Sequence, residues 1–195
     1  MLVKREDFEL ETRKEIHNFI LKNPGLCLDE LSKKLNISKS TLNYHLNYLK
    51  KLKVTIGKSN GRDIRFFIAS KVEDEDKSII NMFRQEIPFK IIAYLLLNPN
   101  SSQVEICKFL KKHPTTIAFH LEKLLNIDVV EEKLSGNEVN YKLKNEEGIF
   151  GLLEKYKDSF FEDTVDYILC SLFKWNIIQF LIFLPKVYII KEDML

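Results

Sequence analysis

Residues 28–54 read LDELSKKLNISKSTLNYHLNYLKKLKV, and residues 103–130 read QVEICKFLKKHPTTIAFHLEKLLNIDVV. Sliding the chain by 75 positions lays one on the other without a gap, and the match extends over residues 16–68 and 91–143. Asn23-Pro24 falls on Asn98-Pro99, Glu30 on Glu105, Thr41 on Thr116, His45-Leu46 on His120-Leu121, Val54 on Val129 and Gly61 on Gly136. Similarity at a fixed offset marks a duplicated supersecondary unit, so the chain is two copies of one small fold.

Each copy reads as three helices and a two-strand hairpin. In the first, Ile16, Phe19 and Ile20 recur at helical spacing and stop at the turn signal Asn23-Pro24-Gly25. Leu28, Leu31 and Leu35 share one face of a short second helix. Ser38 is the expected N-cap of a third helix running to about Leu52, with Leu42, Leu46, Leu49 and Leu52 as its buried seam. Val54-Thr55-Ile56 alternates like a strand, Lys58-Ser59-Asn60-Gly61 supplies the turn, and Arg62 to Ile68 returns. The second copy restarts at Ile91. Its third helix opens with His113 as cap and Pro114 in the first turn, where a missing N–H is harmless, and its hairpin turns at Ser135-Gly136-Asn137. The expected domains are 1–70 and 88–146. Between them, 71–87 is an acidic connector followed by a helix from Lys77 to about Glu86, and 147–195 is a helical C-terminal segment.

Three helices with a sharp turn between the second and third, followed by a hairpin, resemble the winged helix-turn-helix fold. The stretch 28–54 resembles the DNA-binding unit of archaeal and bacterial ArsR/MarR-type regulators, and 103–130 is similar. The most specific part runs from the turn serine through Thr-hydrophobic-x-aromatic-His-Leu-x-x-Leu, and the resemblance covers about two thirds of the chain. It implies a mostly α fold with small β-hairpin wings, two tandem winged helix-turn-helix domains and added C-terminal helices. The implied function is sequence-specific, non-enzymatic DNA binding in transcription regulation, without a cofactor.

The residues agree with that expectation. With Leu42, Leu46 and Leu49 inward, the third helix turns Ser40, Asn43, Tyr44, Asn47 and Lys51 outward. Short polar groups let a helix sit deep in the major groove, where Asn pairs bidentately with adenine. Ser38, Lys39 and Thr41 stand at the helix start, where a phosphate would bind. Lys33, Lys34, Lys50, Lys53, Lys58, Arg62 and Arg65 ring the same face. If roughly six of these cations meet phosphates, log K falls against log salt with a slope near −5.

Charge separates the copies. Residues 13–71 hold thirteen Lys or Arg against four Asp or Glu, a net +9, whereas residues 88–148 hold eight of each. The second copy exposes Thr115, Ala118, Phe119, Glu122 and Lys123 on its third helix, and its hairpin carries Glu131, Glu132 and Glu138. Carboxylates repel phosphate, so this copy is expected to be an accessory reader through Thr115, Thr116 and His120, or a pairing module.

His45 and His120 have no second histidine or cysteine at ligand spacing, so a metal site is not expected. Cys27, Cys107 and Cys170 are far apart and odd in number, which argues against a disulfide framework and for a reducing, cytoplasmic setting. No Gly-rich phosphate loop or nucleophile motif points to an enzyme. From Tyr167 to Leu184 the chain is almost wholly apolar, interrupted by Ser171, Lys174, Asn176 and Gln179. A helix apolar all round is buried between partners or lies in a membrane. Lys174 and Asp166 each oppose insertion by about 3 kcal/mol, which favours a homodimer helix over a membrane anchor. Two rival readings stay open. One is a protein-interaction scaffold of the chromosome-segregation or transcription machinery, and the other is a DNA reader tethered to a membrane.

Overall fold

The computed structural model describes residues 5–160 except positions 60, 62, 137 and 157, with residues 5–9 as backbone. The first unit comprises α1 (Arg5–Lys22), β1 (Leu26–Cys27), α2 (Leu28–Leu35), α3 (Lys39–Lys51), β2 (Thr55–Ser59) and β3 (Ile64–Ile68). Then α4 (Asp74–Phe83) leads into the second unit. That unit comprises α5 (Glu86–Leu97), β4 (Ser101–Ser102), α6 (Gln103–Leu110), α7 (Pro114–Asn126), β5 (Val130–Ser135) and β6 (Glu138–Leu143), and α8 (Glu146–Lys155) follows it.

The turn between α2 and α3 is built from local chemistry. Asn36 takes the left-handed conformation at φ 53°, the Ser32 hydroxyl donates to the Ile37 carbonyl at 2.6 Å, and Ser38 Oγ accepts from the Thr41 N–H at 3.2 Å. At the start of α2, Glu30 Oε2 accepts from the Cys27 N–H at 2.7 Å, and Glu105 repeats this on Ser102 at 2.7 Å. Orphan N–H groups at helix starts are thereby satisfied in both copies.

Each hairpin gains a third strand that the sequence reading omits. The orders are β1-β3-β2 and β4-β6-β5, with Leu26 opposite Phe66 and Ser101 opposite Tyr141. Two residues are too few to display an alternation, so nothing in the pattern announces these strands.

The first core gathers Ile16, Ile20, Leu31, Leu42, Leu46, Phe66 and Ile68. The second includes Ile80, Ile91, Ile92, Leu95, Ile106, Ile117, Leu121 and Leu124, and it also takes Phe67. Phe66 and Phe67 point to opposite faces of β3, so this strand is buried on both sides, between its own unit and the second core. Leu52 departs from the expected seam and is exposed, because α3 ends at Lys51 and Lys53 takes φ 56°, turning the chain away.

The connector is also different from the expectation. The acidic run is no linker: Glu73 precedes α4, and Asp74, Glu75 and Asp76 form its first turn, where negative charge meets the positive end of the helix dipole. The helix accordingly starts at Asp74 rather than Lys77 and ends at Phe83, and α5 begins at Glu86. Between them, Arg84 joins three segments. Its Nε and Nη2 donate to the Pro24 carbonyl at 3.2 and 3.0 Å, and Nη1 donates to the Ser159 carbonyl at 2.7 Å. Its guanidinium also lies 4.5 Å from the centre of the Phe160 ring. Gly25 approaches so closely that a Cβ there would sit 2.8 Å from Ile80 Cγ2, and its φ of +79° suits glycine besides.

Candidate nucleic-acid interface

Helix α3 carries most of the residues expected to meet DNA. Leu42, His45, Leu46 and Leu49 are buried, while Lys39, Ser40, Thr41, Asn43, Tyr44, Asn47, Lys50 and Lys51 are exposed along the other side. Ser38 is exposed and acts structurally, since its hydroxyl lies 3.0 Å from Ser40 Oγ and 2.8 Å from Thr41 Oγ1 while capping the helix. Tyr44 is 55% exposed, and its ring meets buried His45 edge-on at 5.1 Å between centroids. The helix thus presents a stripe of amide, hydroxyl and ammonium groups above an apolar base. Tyr48 is a further exposed aromatic on α3 that the sequence reading passes over; the Arg13 guanidinium of α1 stacks over it at 3.9 Å.

The ring of cations divides once placed. Lys33 is exposed and Lys34 half-buried. Lys39 Nζ is held by Asp29 Oδ2 at 2.7 Å, with both side chains about 60% exposed. Lys58 is turned toward α4, donating to the Asp74 carbonyl at 3.2 Å and Ser78 Oγ at 2.8 Å. Asp74 in turn pairs with Lys77 at 2.8 Å, and this contact, helped by Lys58, holds the Asp74 carboxyl below its usual value. Arg62 lies outside the described residues.

Arg65 must be withdrawn from the candidate set. It is 5% exposed on the central strand, on the same face as Phe67, and Nη1 donates to the Gly25 carbonyl at 2.7 Å and to Glu30 Oε2 at 3.1 Å. A guanidinium in that position ties β3 to α2 and to the turn after α1. It has no surface to offer a phosphate.

In the second unit, Thr115, Ala118, Phe119 and Glu122 are exposed on α7, while Thr116, His120 and Lys123 are half-buried. The Thr115 hydroxyl lies 2.8 Å from His113 Nδ1, within the helix cap. Lys123 stacks over Phe119 at 4.4 Å, and Phe119 meets His120 edge-on at 5.2 Å. Burial, with the Lys123 charge nearby, holds the His120 imidazole below its ordinary pKa. On the hairpin, Glu131 pairs with Lys142 at 2.7 Å. Where α3 exposes amide, hydroxyl and ammonium groups, α7 exposes Phe119 together with Thr115, Ala118 and Glu122, and Val104 is exposed on α6.

Among the described residues, no group of three His, Cys, Asp or Glu could hold a metal ion. Cys27 and Cys107 are free and half-buried, and burial raises the pKa of both thiols, which keeps them protonated at neutral pH. No helix among the described residues is long and apolar enough to cross a membrane, and the apolar stretch 167–184 and Cys170 fall outside those residues.

Residues 9–52 and 84–131 each match the family model for winged helix-turn-helix DNA-binding units. An uncharacterised HTH-type transcriptional regulator of Methanocaldococcus jannaschii is 36% identical over 131 residues, which are 67% of this chain and 33% of the relative. The chain thus spans about a third of the length of that relative. Among solved structures, HlyU from Vibrio cholerae aligns over 43% of this chain and 92% of its own, at 20% identity and TM-score 0.37. A homodimeric winged helix-turn-helix DNA-binding domain from Mycobacterium bovis aligns over 46% and 83%, at 19% identity and TM-score 0.39. With residues 9–52 and 84–131 both matched and both folded as three helices and a wing, each repeat of this chain is a unit of the winged helix-turn-helix DNA-binding type.

Proposed function

We propose that this protein is a DNA-binding transcriptional regulator that acts in the cytoplasm as a homodimer and reads duplex DNA with α3 of its first unit. The observation that carries this reading is the exposed stripe of Ser40, Asn43, Tyr44, Asn47 and Lys51, opposite a buried leucine seam, in the copy with net charge +9. Asn43 and Asn47 suit adenine edges in the major groove. Lys33, Lys34, Lys39, Lys50 and Lys51 suit the backbone, where they set register and salt dependence. The second unit, with Phe119 and Glu122 on its corresponding helix, is an accessory at most.

Selection of bound sequences from random duplexes tests this directly. The expected result is one enriched motif with two half-sites about a helical turn apart, as a dimer requires. Binding should weaken steeply as salt rises. Retention of duplexes without any enrichment would favour the scaffold reading, for which Val104 at 60% and Phe119 at 53% exposure are apolar side chains available for contact.

A further inference from the structure

On α2 and α3 the basic unit turns one carboxylate outward, and it pairs with a lysine of the proposed DNA-reading face. Residues 28–59 contain only two acidic side chains, Asp29 and Glu30. Glu30 is turned inward to the Cys27 N–H and Arg65. Asp29 is turned outward, and it takes Lys39, the first residue of α3, at 2.7 Å. That lysine is the cation placed nearest the positive end of the recognition helix, where a backbone phosphate would dock. The second unit has nothing equivalent, since the matching positions are Val104 and Pro114.

We infer that Asp29 limits the affinity of the first unit for duplex DNA by withholding Lys39 from the phosphate backbone. The inference rests on the DNA-reading function proposed above. An approaching phosphate must displace the Asp29 carboxylate from Lys39 and then lie beside its negative charge. Both partners are solvent-exposed, so the pair itself is weak and readily exchanged. It therefore acts as a brake and not as a lock. Because a phosphate contact carries no base information, the brake applies equally to every sequence. Building a repulsive element into a binding surface keeps the protein from settling tightly on arbitrary DNA.

The test compares wild type with Asp29→Asn on the selected duplex and on a scrambled one, by fluorescence anisotropy over a salt series. The variant should tighten both by a similar factor, about three- to fivefold at low salt, and steepen the salt slope by about one. In a Lys39→Met background the same substitution should tighten binding by a smaller factor and leave the salt slope unchanged, because only the direct repulsion between Asp29 and phosphate is then relieved. Helical content by circular dichroism should match wild type, as both side chains are at the surface. If Asp29→Asn leaves both affinities unchanged, or weakens the selected duplex alone as loss of a base contact would, the inference is overturned while DNA reading stands. If wild type binds neither duplex at low salt, DNA reading itself fails and takes the inference with it.

Discussion

Arg65 Nη1 stands 3.1 Å from Glu30 Oε2, and this pair holds the wing of the first unit to its second helix. The arginine side chain is 6% exposed and the glutamate 38%, so one charge is fully enclosed and the other keeps some water. Removing one partner of a buried pair costs about 3–5 kcal/mol, and the partial hydration of Glu30 puts this case near the lower end. Arg65→Ala should therefore lower unfolding free energy by about 3 kcal/mol in denaturant titration. The salt slope of DNA binding by the remaining folded protein should not change. A slope reduced by one unit would mean that Arg65 reaches a phosphate after all.

Asn43 and Lys51 should separate by the kind of loss they produce. Asn43→Ala is expected to weaken the selected duplex by about 1–3 kcal/mol and to relax preference at one base position. Lys51→Ala should weaken selected and scrambled duplexes alike and reduce the salt slope by about one. Parallel anisotropy titrations on the two duplexes distinguish the outcomes.

The two units should unfold as one body. Phe67 is fully enclosed in the second core although its strand belongs to the first unit, and Arg84 holds the Pro24 carbonyl and Ser159 from a single side chain. Phe67→Ala should remove about 3–5 kcal/mol. It should also split the single calorimetric transition into two as the shared contact is lost. Gly25→Ala should destabilise as well, because it adds a clash with Ile80 to an unfavourable φ. A lone transition at an unaltered temperature in Phe67→Ala would contradict the shared core.

His120 should make the second unit sensitive to mild acid. Its folded pKa lies below the ordinary histidine value, first because of burial and then because of Lys123. A depressed group stabilises the fold at pH above its unfolded pKa of about 6.5, and that contribution fades as pH falls toward the folded value. Thermal midpoints should therefore drop as pH falls below about 6.5, and His120→Gln should flatten that part of the profile. The same slope in wild type and variant would assign the acid sensitivity elsewhere.

How much of this is legible in the chain depends on the range of the interaction. Leu42, Leu46 and Leu49 follow the helical period, so the inward side of α3, and with it the outward Asn43, Tyr44 and Asn47, can be read directly. Periodicity is local and survives any tertiary arrangement. Arg65 is misread because its partners are Gly25 and Glu30, 40 and 35 residues away, and no local rule pairs them. A usable signal does exist in Ile64-Arg65-Phe66-Phe67-Ile68: an apolar run too continuous for a half-exposed strand implies burial on both faces, hence an enclosed arginine. The acidic run at 73–76 is similarly readable as the opening of a helix once its dipole is considered. Asp29 on Lys39 is a surface pairing, decided by how α2 and α3 meet, and nothing in either helix alone foretells it.

The double-sided burial of β3 also bears on the history of the duplication. A fragment ending near residue 70 would leave Phe67 facing water and Arg84 no longer available to the carbonyl of Pro24. Such a piece should aggregate or stay partly molten however well its own helices form. Two modules of one design have thus become partners in a single fold, each completing what the other leaves open.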